Sequence, residues 1–133
     1  MRIGLFTSKK SVVNVVPLVA EKLVSKVKGI EISEFVADNN LDLVKDVLHS
    51  KKIDLSVVIV FYEEDSPDVK VLMEKMVEAD LGGKKIMKFF EKGLDFDEED
   101  EADSIVEDIM QKFFIEKKED KTESRDYDSF TSL

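Results

Sequence analysis

The run from Leu55 to Tyr62 is apolar except for Ser56 and rich in the β-branched residues Val57, Val58, Ile59 and Val60. A strand that is apolar on both of its faces cannot lie against water on either, so it belongs at the centre of a sheet covered by helices on both sides. That requirement limits the fold to an α/β architecture, and the rest of the chain supplies what it demands.

Ile3 to Phe6 is a second short apolar run, ending in the polar stretch Thr7-Ser8-Lys9-Lys10-Ser11, and reads as a buried first strand followed by a loop. After it, Val16, Val19, Ala20, Leu23, Val24 and Val27 recur at helical spacing, with Asn14 as the expected N-cap, Pro17 in the first turn and Gly29 past the end. Ile30 to Val36 alternates apolar and polar residues, as a strand near a sheet edge does. Asp38-Asn39-Asn40 supplies turn and capping chemistry before Leu41, Val44, Val47 and Leu48, a short second helix ending near Lys51-Lys52.

Ser66-Pro67-Asp68 joins a capping hydroxyl, a first-turn proline and an acid, and opens a third helix through Val69, Leu72, Met73, Met76 and Val77 that Gly82-Gly83 stops. Lys85 to Phe90 is expected as a fourth strand, although Met87 and Lys88 blur its period and leave a helical extension as the alternative. Ile105, Val106, Ile109, Met110, Phe113 and Phe114 lie on one stripe of a last helix, prefaced by the acids Asp97 to Glu101. Strands alternating with helices require right-handed crossovers. The expectation is a three-layer sandwich with a four-stranded, mostly parallel sheet in the flavodoxin-like order 2-1-3-4.

One such domain accounts for residues 1–115 of the 133. Residues 116–133 have no period and form an acidic tail expected to be disordered, or docked only through Tyr127 and Phe130. The net charge of −10 is confined to the end: residues 1–93 hold 15 Lys+Arg against 15 Asp+Glu, and residues 94–133 hold 5 against 15. A neutral body with an acidic end gains nothing by displacing counterions from phosphates, which disfavours nucleic acid and anionic lipid as partners. Without cysteine there is no disulfide, thiolate metal site or cysteine nucleophile, and the apolar run at the start is too brief for a signal peptide or membrane span. A cytoplasmic setting is expected.

In open sheets of this order, ligands bind beyond the carboxyl ends of the strands where the order reverses, here between the first and third strands. Thr7, Ser8 and Lys9, with Lys10 and Ser11, border that crevice and could cradle an anion, or could be an ordinary solvated loop. Glu63-Glu64-Asp65 on the facing loop could raise a pKa or hold magnesium, or could simply favour the helix start beside them. His49, at the back end of the second helix, is expected to cap carbonyls, and Met73, Met76 and Met110 to fill the core. No G-x-G-x-x-G, P-loop or G-x-S-x-G pattern is present, and Asp95 to Asp103 lacks the spacing of an EF-hand.

The element order, the length and Glu78-Ala79-Asp80-Leu81-Gly82 at the end of the third helix together resemble the lumazine synthase superfamily, in particular the archaeal type of riboflavin synthase. In that family an E-A-x-L-G segment follows a histidine, a threonine-rich motif ending in alanine-arginine follows the first strand, and a V-P-G turn follows the second. Here Val77 stands at the histidine site, Thr7 begins the first motif but Lys9-Lys10 replace its alanine-arginine, and Val36-Ala37-Asp38 stands for V-P-G. Glu98-Glu99-Asp100-Glu101-Ala102 is similar to the family's H-E-D-E-A segment without its histidine. The resemblance implies a homo-oligomer, typically a pentamer, with a pterin- or flavin-type ligand between subunits, and a riboflavin synthase-like transferase if the protein is an enzyme. Glu78 is the residue carried over, with Thr7 second. A non-catalytic binding or scaffold protein on the same fold, or an anion-binding flavodoxin-like module, are the alternatives.

Overall fold

The computed structural model describes residues 1–115. Four strands, β1 (Arg2–Ser8), β2 (Glu31–Ala37), β3 (Leu55–Tyr62) and β4 (Ile86–Lys92), form one sheet in the order β2-β1-β3-β4. Every pairing is parallel. The helices α1 (Val16–Lys26), α2 (Asn40–His49), α3 (Pro67–Leu81) and α4 (Glu98–Ile109) join and follow the strands, and α4 runs on into a π-helical segment, Met110–Ile115. The three-layer sandwich and its strand order are those that the alternating pattern requires. None of the helices is long and apolar enough to cross a membrane among the described residues.

Strand alternation sorts the side chains into two cores. Ile3 and Leu5 of β1 and Leu55, Val57, Ile59 and Phe61 of β3 face α1 and α4, packing with Val16, Val19, Leu23, Ala102, Ile105 and Ile109. Phe6, Val58, Val60 and Ile86 face α2 and α3, packing with Leu43, Val47, Leu72 and Met76. From Leu55 to Phe61 every residue of β3 is buried, Ser56 included. Phe6 stacks on Phe35 with ring centroids 4.6 Å apart, and its ring lies over Gly4, where an added Cβ would meet it at 2.7 Å.

Local chemistry fixes the helix starts. Asn39 and Ser66 accept hydrogen bonds from the amides of Asp42 and Val69, and Asp97 accepts one from Asp100. The first helix departs from the expectation: Val15 occupies the N-cap position, and the Asn14 side chain accepts from the Val16 amide at 3.0 Å from one residue further out. In α2, Leu41 and Leu48 face outward, because Leu43, Val44 and Val47 already make the stripe that meets the sheet. Strand β4 starts and ends one to two residues later than its blurred period indicates, and its half-buried side chains are those of a sheet edge. The tail, residues 116–133, with Tyr127 and Phe130, lies outside the described residues.

Candidate functional site

Beyond Phe6 and Val58 the two central strands stop pairing: β1 continues to Ser8 beside β2, and β3 continues to Tyr62 beside β4. The crevice of the switch point opens there, at the carboxyl ends of the strands. The loop that follows β1 folds back into it. Val12 donates its amide to the Phe61 carbonyl at 2.7 Å, and the Ser11 hydroxyl accepts from the Phe61 amide at 2.9 Å while donating to the Val13 carbonyl at 2.7 Å.

The same loop uses its other amides internally. Lys9 donates to the Ala37 carbonyl at 2.8 Å, Lys10 to the Ser8 hydroxyl at 3.2 Å, and Ser11 to the Ser8 carbonyl at 3.1 Å. Four successive amides, Lys9 to Val12, therefore point at acceptors of the protein itself, whereas an anion cradle needs such groups converging on an empty centre.

Ser8 begins a polar chain across the rim on the α2–α3 side, buried at Ser8 and Asn40 and partly buried at Ser66 and Asp68. Its hydroxyl donates to Asn40 Oδ1 at 2.7 Å; Asn40 Nδ2 donates to Asp68 Oδ2 at 3.3 Å; and the Ser66 hydroxyl donates to Asp68 Oδ1 at 2.7 Å. Ser8 and Asn40 are 2% and 3% exposed. The Ser66 hydroxyl, with the amide of Asp68 itself, the Asn40 amide group and the Val69 amide, holds the Asp68 carboxyl below the usual carboxylate range against the opposing effect of partial burial. This chain ties the end of β1 to the first turns of α2 and α3.

Of the residues singled out from the sequence, Thr7, Ser8 and Lys9 are brought to the crevice. Thr7 is buried with its hydroxyl unpartnered, Ser8 is held in the buried chain, and Lys9 is exposed and ion-paired to Asp38 at 3.0 Å. The ammonium group of Lys10 has no ion-pair partner among the described residues. Glu78 is elsewhere. Helix α3 starts at the carboxyl rim and runs back towards the opposite one, which places Glu78 about 17 Å along it. It is exposed, lies 3.5 Å from Lys75, and lines a shallow hollow of about 420 Å³ with Met73, Glu74 and Val77. His49 ends α2 in another hollow of about 420 Å³ with Phe35 and Lys45, away from the crevice.

Glu63, Glu64 and Asp65 are exposed, and Asp65 pairs with Lys92 at 2.9 Å, which raises the Lys92 pKa above that of an ordinary lysine. No group of three or more histidines and carboxylates is placed to hold a metal ion among the described residues. On the α1–α4 side of the rim, Glu91 is the penultimate residue of β4 and Glu101 lies in the first turn of α4. The Glu91 carboxyl, partial burial and the nearby Asp100 and Asp97 push the Glu101 pKa up to about 7.

From the sequence, Asn40, Ser66 and Asp68 read as turn, capping and first-turn residues; Ser66 caps α3 and Asp68 stands in its first turn, but Asn39 caps α2, and Asn40, its first residue, is turned to Ser8 and Asp68 by the strand order and register. Glu91 and Glu101 carry no local signal beyond an acidic segment. Compared with known protein families and with curated proteins, the sequence matches no family model and no curated protein.

Proposed function

We propose that the protein is a non-catalytic binding or scaffold module, one that works through its outer surfaces and not through the crevice between β1 and β3. The observation that carries this reading is the commitment of the loop amides from Lys9 to Val12, with Ser8 and Asn40, to partners within the chain. Catalytic and anion-binding sites at a switch point need polar groups free to meet a ligand, and releasing the buried Ser8 and Asn40 side chains would leave them unsatisfied at about 1–3 kcal/mol each. The cysteine-free composition and the neutral body fit a reducing, cytoplasmic setting and a protein partner better than nucleic acid.

The test is a thermal-shift series on the full chain with inorganic phosphate, flavin mononucleotide and lumazine. A ligand that binds only the native state must raise the melting temperature by mass action. No shift is expected with any of the three. A shift that disappears when Lys9 and Lys10 are both replaced by alanine would restore the loop as an anion site and overturn the proposal.

A second reading, a divergent riboflavin synthase- or lumazine synthase-like protein, is favoured by one arrangement. Thr7, Ser8 and Lys9 lie at one rim and Glu78 at the other end of α3, so a shared ligand site needs a neighbouring subunit to bring them together. It expects a homo-oligomer in native mass measurement that retains a pterin- or flavin-type chromophore. A colourless monomer removes it.

A further inference from the structure

The two edges of the sheet differ. Strand β2 carries the exposed acids Glu31 and Glu34, charges of the kind that keep an open edge from pairing. Strand β4 is apolar at its centre: Met87, Phe89 and Phe90 are half-buried, and Lys88 is neutralised by Asp80 of α3 at 2.6 Å. Among the described residues β4 pairs on one side only, with β3. The Ser56 amide donates to the Lys85 carbonyl at 3.0 Å and the Gly93 amide to the Tyr62 carbonyl at 2.9 Å, so the odd-numbered residues turn their backbone groups to β3. Ile86, Lys88, Phe90 and Lys92 turn theirs outward.

Helix α3 lies beside this edge with an apolar flank uncovered. Asp68, bonded to Asn40, and Ala79, packed on the core beneath α2 and α3, mark the flank towards α2, and Asp80, paired with Lys88, marks the flank towards β4. Met73, Val77 and Leu81 continue round the helix on the β4 side at intervals of four residues, and Val77 and Leu81 are 46% and 84% exposed.

We propose that this face is the interface of a two-fold dimer, in which β4 pairs antiparallel with β4 of a second copy and α3 packs on its counterpart. Register favours a second copy. An axis through Phe89 overlaps the whole of β4 and sets Lys88 opposite Phe90 and Ile86 opposite Lys92, all with outward backbone groups, whereas an axis through Lys88 or Phe90 opposes lysine to lysine. Spacing favours it too. Strands stand about 4.8 Å apart and α3 crosses over the β3–β4 pair, so the two copies of α3 lie roughly 10 Å apart, the packing distance of helices. The flank is evenly spaced about Val77, so an antiparallel copy lays Val77 on Val77 and Met73 on Leu81.

Charge completes the match. Lys84-Lys85 precede β4, Glu91 lies near its end and Asp95 follows, so antiparallel pairing sets Lys85 of one copy diagonally across from Glu91 of the other. An edge about 23 Å long that carries a strand and a helix layer offers on the order of 500 Å² per copy, which meets the total of about 1,000 Å² that a specific interface requires. The dimer extends the reading of the protein as a module that works through its outer surfaces, and it stands whatever the crevice holds.

Its test uses no ligand. Sedimentation of the full chain across the micromolar range should show a monomer–dimer equilibrium, and hydrogen-exchange protection of the Lys88 and Phe90 amides should rise with concentration while that of residues 43–47 in α2 stays constant. In Val77→Glu the dissociation constant should rise by at least about tenfold, because association buries a charge on the axis. Leu81→Lys serves as the second variant if the first folds poorly. Lys85→Glu should weaken the dimer severalfold, and Lys85→Glu combined with Glu91→Lys should recover it. A chain that stays monomeric, an assembly larger than a dimer, a dimer indifferent to both apolar substitutions, or a double variant no tighter than Lys85→Glu alone each overturns the proposal.

Discussion

On the α2–α3 side of the carboxyl rim, Ser8, Asn40, Ser66 and Asp68 match donor to acceptor in each contact, whereas on the α1–α4 side the Glu91 carboxyl, partial burial and neighbouring acids push the Glu101 pKa up to about 7. The two clusters sit at the same edge of one sheet. A matched polar network, here buried at Ser8 and Asn40, helps fix the arrangement of the elements it joins. A carboxyl whose pKa is raised by folding contributes stability in acid and loses that contribution as pH rises through the folded value. The contrast separates the part of the rim whose donors and acceptors are matched from the part whose charge follows pH.

The largest effect should come from converting the matched side into a mismatched one. Asn40→Leu removes the acceptor of the Ser8 hydroxyl and a donor to Asp68 at a site 3% exposed, and should cost about 1–3 kcal/mol for each group left unsatisfied. Urea denaturation would show it as a lower midpoint with an unchanged slope. A cost within the error of the measurement would show that water replaces the network and that the two sides do not differ in kind.

A smaller effect should appear in acid. Asp68 has its pKa lowered in the fold, so its contribution is present above the unfolded carboxylate value and is lost as pH falls through the folded one. Glu101 has the opposite sign, so the two sides lose their contributions at opposite ends of the scale. Melting temperature against pH should show an acid limb that shallows in Asp68→Asn, with the response on the alkaline side kept. An acid limb of unchanged steepness would sever Asp68 from the matched side.

The smallest effect is expected from Lys22→Ala. Its pKa is raised by the carboxylates of Asp103 and Glu99, yet the pair is open to solvent, and ion pairs of that kind contribute little and are screened by salt. The melting temperature should shift slightly at low ionic strength and not at high. A large, salt-resistant loss would mean that Lys22 does more for the seating of α4 than an exposed ion pair does.

The sequence displays the fold through features that act over a few residues. The unbroken burial of Leu55 to Phe61 puts β3 in the middle, and Ser66-Pro67 starts α3 where its capping chemistry says. Four strands separated by helices leave few topologies once crossovers are right-handed, so the order 2-1-3-4 follows. The site was legible only in part. Thr7, Ser8 and Lys9 do reach the switch point, but whether the loop opens towards solvent or turns inward depends on Ser11 meeting Phe61, fifty residues away. The effect of Glu91 on Glu101 likewise depends on the register of β4 and the angle at which α4 returns, and both residues look like ordinary surface acids in their own segments.

Gly4 carries a consequence for how this chain can vary. A Cβ there would lie 2.7 Å from the Phe6 ring and 3.3 Å from Ile53 Cγ2, so the seat of the ring is hollowed out of its own strand. The ring cannot move aside freely, since Phe35 stacks against it. Positions 4, 6 and 35 are thus one packed unit: a larger residue at the first would drive the ring of the second from its seat and take from the third the face it stacks on.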